Sequence, residues 1–197
     1  MDIAIIGGGA AGFMAAITAR KANTKTNVTI FERASKVLAK VEVTGGGRCN
    51  VTNSFAAITD LKQAYPRGDK LMKRLFNVFD YKDTYRWFEQ RGVPLVTQED
   101  ECVFPKAQDS HAIINCLTRQ AASLGVKISC RSQLKDIYHT DDGRFELHFG
   151  GGEKRYFDRV IIATGGSPHA RGLVYLARMG HEIESPVPSL FTFTIKD

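Results

Sequence analysis

The feature that most constrains the fold is a run of glycines between a short apolar segment and a helical segment near the amino terminus. Ile3–Ile6 is an apolar run typical of a buried parallel strand. Gly7-x-Gly9-x-x-Gly12 follows it directly, and small and apolar residues then recur at helical spacing over residues 10–22. In such a loop the glycines permit a tight turn, a close backbone approach to a pyrophosphate, and close packing of helix on strand. The pattern predicts a dinucleotide-binding βαβ unit.

A carboxylate at the end of the second predicted strand strengthens this interpretation. Val28–Phe31 is apolar and ends at Glu32, about 20 residues beyond Gly12, where an acid can accept the hydroxyls of an adenosine ribose. The same acid disfavours NADP, because it would repel the 2′-phosphate. The alternative, a glycine-rich turn with a solvated Glu32, does not explain the order of strand, loop, helix, strand and acid. The cofactor contacts predicted from this unit are Gly7, Gly9, Ala10, Ala11, Gly12, Glu32 and Arg33.

Three further features favour FAD over NAD. A second glycine-rich segment, from Lys40 to Asn53, follows the acid, and a plain NAD-binding domain has no use for it. Short alternating segments at about 131–158 predict an antiparallel insert, and the apolar strand Val160–Ala163 then runs into Thr164-Gly165-Gly166. These features resemble the flavin disulfide-reductase-like architecture. They imply an α/β fold, a three-layer ββα FAD/NAD(P)-binding Rossmann-like domain (glutathione-reductase-like), with the small sheet on one face of the parallel sheet and helices on the other.

The domain organisation follows from the remaining pattern. Predicted elements are helices at 69–80, 81–91 and 172–180, a hairpin at 93–104, a strand at 126–130, and a helix from a Ser110 cap to Leu124. Residues 1–185 are predicted to form one FAD-binding domain, with the insert at about 131–158, and 186–197 to begin a connection to a missing second domain. Because Phe191–Ile195 alternates like a strand without a closing element, we expect the fold to be incomplete at the C-terminus.

One segment carries a specific resemblance. Thr44-Gly45-Gly46-Gly47-Arg48-Cys49-Asn50-Val51-Thr52-Asn53 resembles the signature of a bacterial NAD(P)/FAD-dependent oxidoreductase family with aminoacetone-oxidase-like and 3-dehydro-bile-acid-reductase-like members. Gly180-His181 and Pro188-Ser189-Leu190 are also similar to it. By comparison with the family, this chain resembles only the amino-terminal half. It departs from the family after Gly166, where Ser167-Pro168-His169-Ala170-Arg171-Gly172 stands in place of a Gly-Ser-Thr-Gly stretch.

The resemblance implies that the segment from Lys40 to Thr52 lies along the flavin side of FAD. Independently of it, glycine amides can bind phosphate or ribityl oxygens without side-chain obstruction, and Arg48 offers a cation to phosphate or to the N1–C2=O edge of the flavin. Asn50 and Thr52 can fix the loop, although Thr52 and Asn53 equally suit simple turn capping. The contacts predicted for this side are Lys40, Gly45, Gly46, Gly47, Arg48, Asn50, Thr164, Gly165 and Gly166.

Cys49 is the one candidate for a reactive thiol in this loop. A redox-active disulfide needs a second cysteine close by, and none of Cys102, Cys116 and Cys130 lies within 50 residues. We therefore interpret Cys49 as a small packed thiol, and expect Cys49→Ser to retain flavin. No catalytic residue can be named from the sequence, and the scattered cysteines and histidines predict no metal site.

The composition of the chain indicates the cellular compartment of the protein and the partners it binds. No run approaches the roughly 18 apolar residues of a membrane span, no secretory signal is recognised, and unpaired cysteines suit a reducing compartment, so we expect a cytoplasmic protein. The net charge of +6 comes without a block of five basic residues, so nucleic-acid binding is not predicted.

The sequence therefore predicts the FAD-binding portion of a flavin-dependent oxidoreductase that acts on a small organic substrate, with NAD(P)H as a candidate electron donor. We expect this stretch alone to be inactive. The alternatives are a non-catalytic cofactor-binding fragment, an FAD-dependent RNA-modifying enzyme that uses the basic excess, and a simple NAD dehydrogenase.

Overall fold

The computed structural model describes residues 1–167 and 170–185 of the chain, with the backbone alone at 170 and 171. The helices are α1 (Ala10–Ala22), α2 (Ala39–Val43), α3 (Leu61–Ala64), α4 (Asp69–Phe76), α5 (Tyr81–Glu89), α6 (His111–Ser123) and α7 (Val174–Arg178). The strands are β1 (Asp2–Ile6), β2 (Asn27–Phe31), β3 (Thr52–Asn53), β4 (Leu95–Thr97), β5 (Cys102–Pro105), β6 (Lys127–Ser129), β7 (Leu134–His139), β8 (Phe145–Phe149), β9 (Lys154–Phe157) and β10 (Arg159–Ile162). The chain divides into two compact units, one of Met1–Val37 with the residues from Ser123 onward, the other Leu38–Ala122.

The first unit is built on a parallel sheet in the order β10-β1-β2-β6. β1 is central, with Ile5 paired to Ile30 on one side and to Ile161 on the other. Both neighbours of β1 are parallel to it, so their carboxyl ends meet at one edge of the sheet, where parallel α/β sheets bind ligands.

Alternation along β1 gives this sheet two buried faces. Ala4 and Ile6 join one hydrophobic cluster with Phe31 and with residues of the antiparallel sheet β7-β8-β9, namely Ile137, Leu147, Phe149 and Phe157. On the other face, α1 packs against β1 and β2 and buries Phe13, Ala16 and Ile17. The three layers of the predicted fold are therefore present in this unit.

The antiparallel sheet forms because its inward residues are large and apolar. Leu147 and Phe149 alternate with Glu146 and His148 along β8, and the apolar pair is buried. Phe31 receives the rings of Phe149 and Phe157 at centroid distances of 4.6 and 5.6 Å. Replacing a fully buried phenylalanine by alanine costs about 3–5 kcal/mol, so Phe31 is a main link between the two sheets.

The second unit contains the antiparallel sheet β3-β5-β4 and helices α2 to α6. Val103 and Phe104 of β5 are buried, as is one face of α6, formed by Ile113, Cys116, Leu117 and Ala121. This spacing places all four residues of α6 on one side of the helix. The second unit therefore has buried apolar residues of its own.

Several elements differ in extent from the sequence predictions. The helix predicted at 69–80 ends at Phe76, because Asp80 forms a reciprocal capping box with Asp83 at the start of α5. Ser110 directly precedes α6: its carbonyl accepts the amides of Ile113 and Ile114 at 3.1 Å, and its hydroxyl donates to the carbonyl of Glu42 at 2.9 Å. The apolar strand predicted at Val160–Ala163 is β10, which ends at Ile162, lies at a sheet edge in the described part of the chain and leaves Ile161 37% exposed.

Two stretches of the sequence, residues 168–169 and 186–197, lie outside the described residues. The predicted connection at 186–197, the strand-like segment Phe191–Ile195 and Pro188-Ser189-Leu190 all fall in the second stretch.

Candidate cofactor-binding site

Two glycines of the first loop are required by packing. At Gly7 the backbone has φ +112°, and a Cβ would stand 2.4 Å from the carbonyl oxygen of Ala163. At Gly12 a Cβ would stand 2.0 Å from the carbonyl oxygen of Gly7. No side chain fits at either distance, so these two glycines let α1 and β10 approach the end of β1.

Gly9 has a different environment. A Cβ built on it meets no atom within 4 Å, and it stands at the N-cap of α1 without a side-chain cap. The first amides of a helix have no partner within the helix, and the exposed Ala10 and Ala11 bring theirs to this open end. The end of α1 therefore presents N–H groups and the positive end of the helix dipole to whatever occupies the space above Gly9.

Gly8 is a site residue that sequence reasoning missed. A Cβ there would stand 2.7 Å from Cγ1 of Val37, and its amide donates to Oε2 of Glu32 at 2.8 Å. The signal was available as an unbroken run of three glycines, of which the sequence motif uses only the first and third.

Hydrogen bonds fix the carboxylate of Glu32 beside the N-terminal end of α1. Oε2 accepts the Gly8 amide, and Oε1 accepts the amide of Ala34 at 2.8 Å. The backbone amide of Glu32 donates to the Ser129 carbonyl at 2.9 Å, which continues the β2–β6 pairing. A carboxylate has about four acceptor sites, so two main-chain donors leave capacity for the hydroxyls of a ligand. The carboxylate faces the glycine loop, whereas its neighbour Arg33 is exposed.

Thr164, Gly165 and Gly166 are brought to the same edge of the sheet. The amide of Ala163 donates to the Ile6 carbonyl at 2.7 Å, and Thr164 Cα lies 3.0 Å from the position of a Cβ on Gly7. The three residues are exposed, and Gly165 has φ +74°. The first unit thus gathers Gly7, Gly9, Ala10, Ala11, Gly12, Glu32 and these three residues at the carboxyl ends of adjacent strands.

The second glycine loop, in the second unit, follows α2 as a tight turn. Gly45, Gly46 and Gly47 have successive φ values of +58, +68 and +84°, a left-handed run that glycine adopts without steric cost. A Cβ on Gly45 would lie 2.7 Å from Phe104 Cε1, whereas one on Gly46 would meet nothing within 4 Å. Gly45 therefore serves packing, and Gly46 presents bare backbone.

Hydrogen bonds hold this loop at both ends. The Cys49 amide donates to the Thr44 carbonyl at 2.9 Å, and the Val51 amide to the Val103 carbonyl at 2.8 Å. Ser110 adds a third bond, from its amide to the carbonyl of Gly47 at 2.9 Å. Lys40 on α2 and Asn50 after the loop are exposed, so their side chains are accessible.

Arg48 contacts an aromatic ring and a backbone carbonyl, whereas the neighbouring Cys49 is buried. The guanidinium of Arg48 lies over the Phe104 ring, 4.3 Å from its centroid, and Nε donates to the Gly45 carbonyl at 3.0 Å. Cys49 is 5% exposed, and burial raises the pKa of its thiol, opposed by a hydrogen bond with Thr44. A thiol in this state is a weak nucleophile, which supports its interpretation as a packed residue.

Within 1–167 and 170–185, no group of three or more His, Cys, Asp or Glu side chains is arranged to hold a metal ion. Over the same ranges, no helix combines the length and the apolar character needed to span a bilayer.

Two curated relatives are similar to nearly the whole chain. A 3-dehydro-bile acid delta(4,6)-reductase of Clostridium scindens is 26% identical over 98% of this chain and 47% of its own length. A ribosomal RNA dihydrouridine synthase of Haemophilus influenzae is also 26% identical, over 98% of this chain and 49% of its own length. The chain therefore spans about half the length of these relatives.

Among solved structures, the fold is similar to that of a 3-ketosteroid-delta4-(5alpha)-dehydrogenase from Rhodococcus jostii. The TM-score is 0.64 at 16% identity, with 88% of this chain and 47% of that chain covered. At this identity the likeness concerns the fold alone, and it agrees with the layered arrangement of the first unit.

The sequence model of one family, the HI0933-like protein Rossmann domain, matches residues 1–183. With the similarities above, this match confirms the predicted α/β Rossmann-like fold. The individual cofactor contacts and the ten-residue signature stay predictions. Because the match covers nearly the whole chain, the chain belongs to the HI0933-like protein Rossmann domain family.

Proposed function

We propose that this chain holds FAD for a flavin-dependent oxidoreductase. The observation that carries the proposal is the Glu32 carboxylate, fixed by the Gly8 and Ala34 amides beside the open end of α1. A ribose-binding acid and a phosphate-binding helix end are the two elements that an ADP group requires. We assign the adenosine ribose to Glu32 and the pyrophosphate to the loop from Gly7 to Gly12.

For the rest of the cofactor, the proposal keeps the contacts predicted from the sequence. The exposed Thr164, Gly165 and Gly166 in the first unit offer backbone groups, and the second unit offers Lys40, Gly45, Gly46, Gly47, Arg48 and Asn50. The bare backbone at Gly46 and the cation of Arg48 suit oxygen-rich, electron-rich parts of a ligand. When bound, FAD supplies two-electron redox chemistry, and the chain binds and orients it.

We further propose the substrate class. The names of both curated relatives refer to carbon–carbon double bonds, since a delta(4,6)-reductase saturates a steroid skeleton and dihydrouridine is uridine with a saturated ring bond. In both cases the double bond is conjugated to a carbonyl, which makes it electrophilic. We therefore propose reduction of a carbonyl-conjugated double bond in a small organic substrate, with NAD(P)H supplying the two electrons and a hydrogen ion from water completing the addition.

The absorbance spectrum of the purified protein tests the cofactor assignment. The expected result is a flavin spectrum, or its appearance after titration with FAD and gel filtration. A colourless protein that does not retain added FAD would support the non-catalytic alternative. Binding of NADH without any binding of flavin would support the simple NAD dehydrogenase.

A second candidate is an RNA substrate. It is favoured by the similarity to a ribosomal RNA dihydrouridine synthase and by Lys70, Lys73 and Arg74, which are exposed on α4. Because this stretch alone is expected to be inactive, binding of a 4-en-3-one steroid and of transcribed ribosomal RNA by the FAD-loaded protein should be compared. RNA binding that weakens steeply with salt, without binding of the steroid, would favour the second candidate over the first.

A further inference from the structure

Arg48 is held entirely by neutral groups. Its Nε donates to the Gly45 carbonyl at 3.0 Å, its Nη1 to Oε1 of Gln108 at 3.3 Å, and its guanidinium lies on the Phe104 ring. None of the ion pairs found in the described ranges involves Arg48. An arginine fixed in this way keeps its full charge available to an anionic group.

Gln108 is placed against its own backbone preference to make this contact. Its φ is +53°, a region that a residue with a side chain enters only at some steric cost. The conformation is held by its amide, which donates to the Pro105 carbonyl at 2.8 Å, and by its side-chain Nε2, which donates to the same carbonyl at 3.2 Å. The amide oxygen is thereby available to Arg48 Nη1 at 3.3 Å, and Nε2 of Gln98 also donates to it at 3.5 Å.

We propose that Gln108 is a positioning residue that orients the uncompensated Arg48 toward an electron-rich oxygen of the cofactor, with the Phe104 ring as the surface beneath it. The oxygen belongs either to the pyrophosphate or to the N1–C2=O edge of the flavin, because both present the same chemistry to a guanidinium. The inference rests on the proposed function. Its distinguishing feature is that a neutral amide is required at position 108, since a carboxylate there would neutralise Arg48.

The first test needs no ligand. In protein labelled with 15N at arginine, the Nη1–H of Arg48, which donates to Gln108 and is assigned by its loss in Arg48→Lys, should exchange with water more slowly than the Nη protons of the exposed Arg67. Gln108→Ala should speed up this exchange several-fold while the melting temperature stays unchanged, because residue 108 is exposed. Equal exchange of the Arg48 Nη1–H in the wild type and in Gln108→Ala would overturn the inference.

The second test measures dissociation constants for FAD, ADP and riboflavin. Gln108→Glu should weaken FAD binding by up to about fivefold, the effect of losing one partly solvated charge contact, and Gln108→Ala by a smaller factor. The matched control is Gln63→Glu, which makes the same charge change on the exposed face of α3 and should bind FAD like the wild type. Equal affinities in Gln108→Glu and Gln63→Glu would overturn the inference.

The ligands separate the two possible oxygens. If Gln108→Glu weakens the binding of both FAD and ADP, Arg48 contacts the pyrophosphate. If it weakens the binding of both FAD and riboflavin, Arg48 contacts the N1–C2=O edge of the flavin. If the wild-type protein binds no FAD, the proposed function fails, while the exchange measurement still decides whether Gln108 orients Arg48.

Discussion

At the residue scale, the glycines of the first loop separate packing from binding. A Cβ on Gly7 or Gly12 would stand 2.4 or 2.0 Å from a backbone oxygen, whereas a Cβ on Gly9 would stand in open space. A motif read from sequence treats the three alike, because each is simply a glycine at the required spacing. The structure shows two of them at close contacts between elements and leaves Gly9 facing open space, where we propose that the ligand binds.

This separation gives a first prediction. Gly12→Ala should destabilise the protein by about 3 kcal/mol through overpacking, whereas Gly9→Ala should cost about 1 kcal/mol or less, as a change at an N-cap. Gly9→Ala should nevertheless lose FAD affinity, because its methyl group would occupy the space assigned to the pyrophosphate. Thermal melting and FAD titration of both variants check this, and unchanged FAD binding by Gly9→Ala would contradict the assignment.

Glu32 supports a second prediction. Glu32→Gln should raise the dissociation constants of FAD and ADP about tenfold, since hydrogen bonds to a charged acceptor are lost or weakened. Riboflavin binding should not change, because riboflavin lacks the adenosine ribose. The control is Glu153→Gln, which removes an exposed carboxylate paired with Arg155. Equal ADP affinity in the two variants would show that Glu32 does not hold the ribose.

Cys49 supports a third prediction. Because burial raises the pKa of its thiol, alkylation by iodoacetamide at neutral pH should be slow and should accelerate as the pH rises. Cys49→Ser should retain FAD and, if the loaded protein turns over, should retain turnover. A variant that binds flavin but loses all turnover would instead make the thiol a participant in the reaction.

At the scale of elements, local signals predicted the first unit well. The strand, glycine loop, helix and acid between residues 1 and 32 are specified by short-range patterns, and so are the alternating strands of the antiparallel sheet. The second unit was predicted less completely. Its loop geometry depends on left-handed residues such as Leu38, Cys49 and Gln108, and because none of them is glycine, no residue type marks these turns in the sequence. The contact of Gln108 with Arg48 therefore could not be found from sequence.

The antiparallel sheet supports a fourth prediction, on pH dependence. Glu146 on β8 bonds Lys154, His148 and Tyr156, and these contacts, Lys154 foremost, lower the pKa of its carboxyl from 4.5 to about 2. A lowered pKa means that the contribution to stability is fully present above pH 4.5 and is lost as the pH falls toward 2. Glu146→Gln should therefore lower the melting temperature at neutral pH. The difference from the wild type should shrink across this acid range, and a difference independent of pH would contradict the prediction.

At the scale of the whole molecule, the two compact units divide the predicted contacts between them. Glu32 and the loop from Gly7 to Gly12 belong to the first unit, and Arg48 and Gly46 to the second. The assignment of one FAD-binding domain to residues 1–185 stays a prediction.

This division leads to a prediction on ligand linkage. A ligand that binds only the folded state stabilises it by about 2.7 kcal/mol at a concentration of 100 times its dissociation constant, which raises the melting temperature of a chain of this size by roughly 5–10 °C. FAD and ADP, each at 100 times its own constant, should therefore give similar shifts if the chain unfolds in one step. If the units unfold separately, ADP should shift only the transition that contains the first unit, whereas FAD held by both units should shift both transitions.

Differential scanning calorimetry with each ligand distinguishes these cases, and Gly9→Ala at the same ligand concentrations should show smaller shifts. An FAD shift confined to one transition would place the whole cofactor on a single unit and would contradict the contacts proposed for the other.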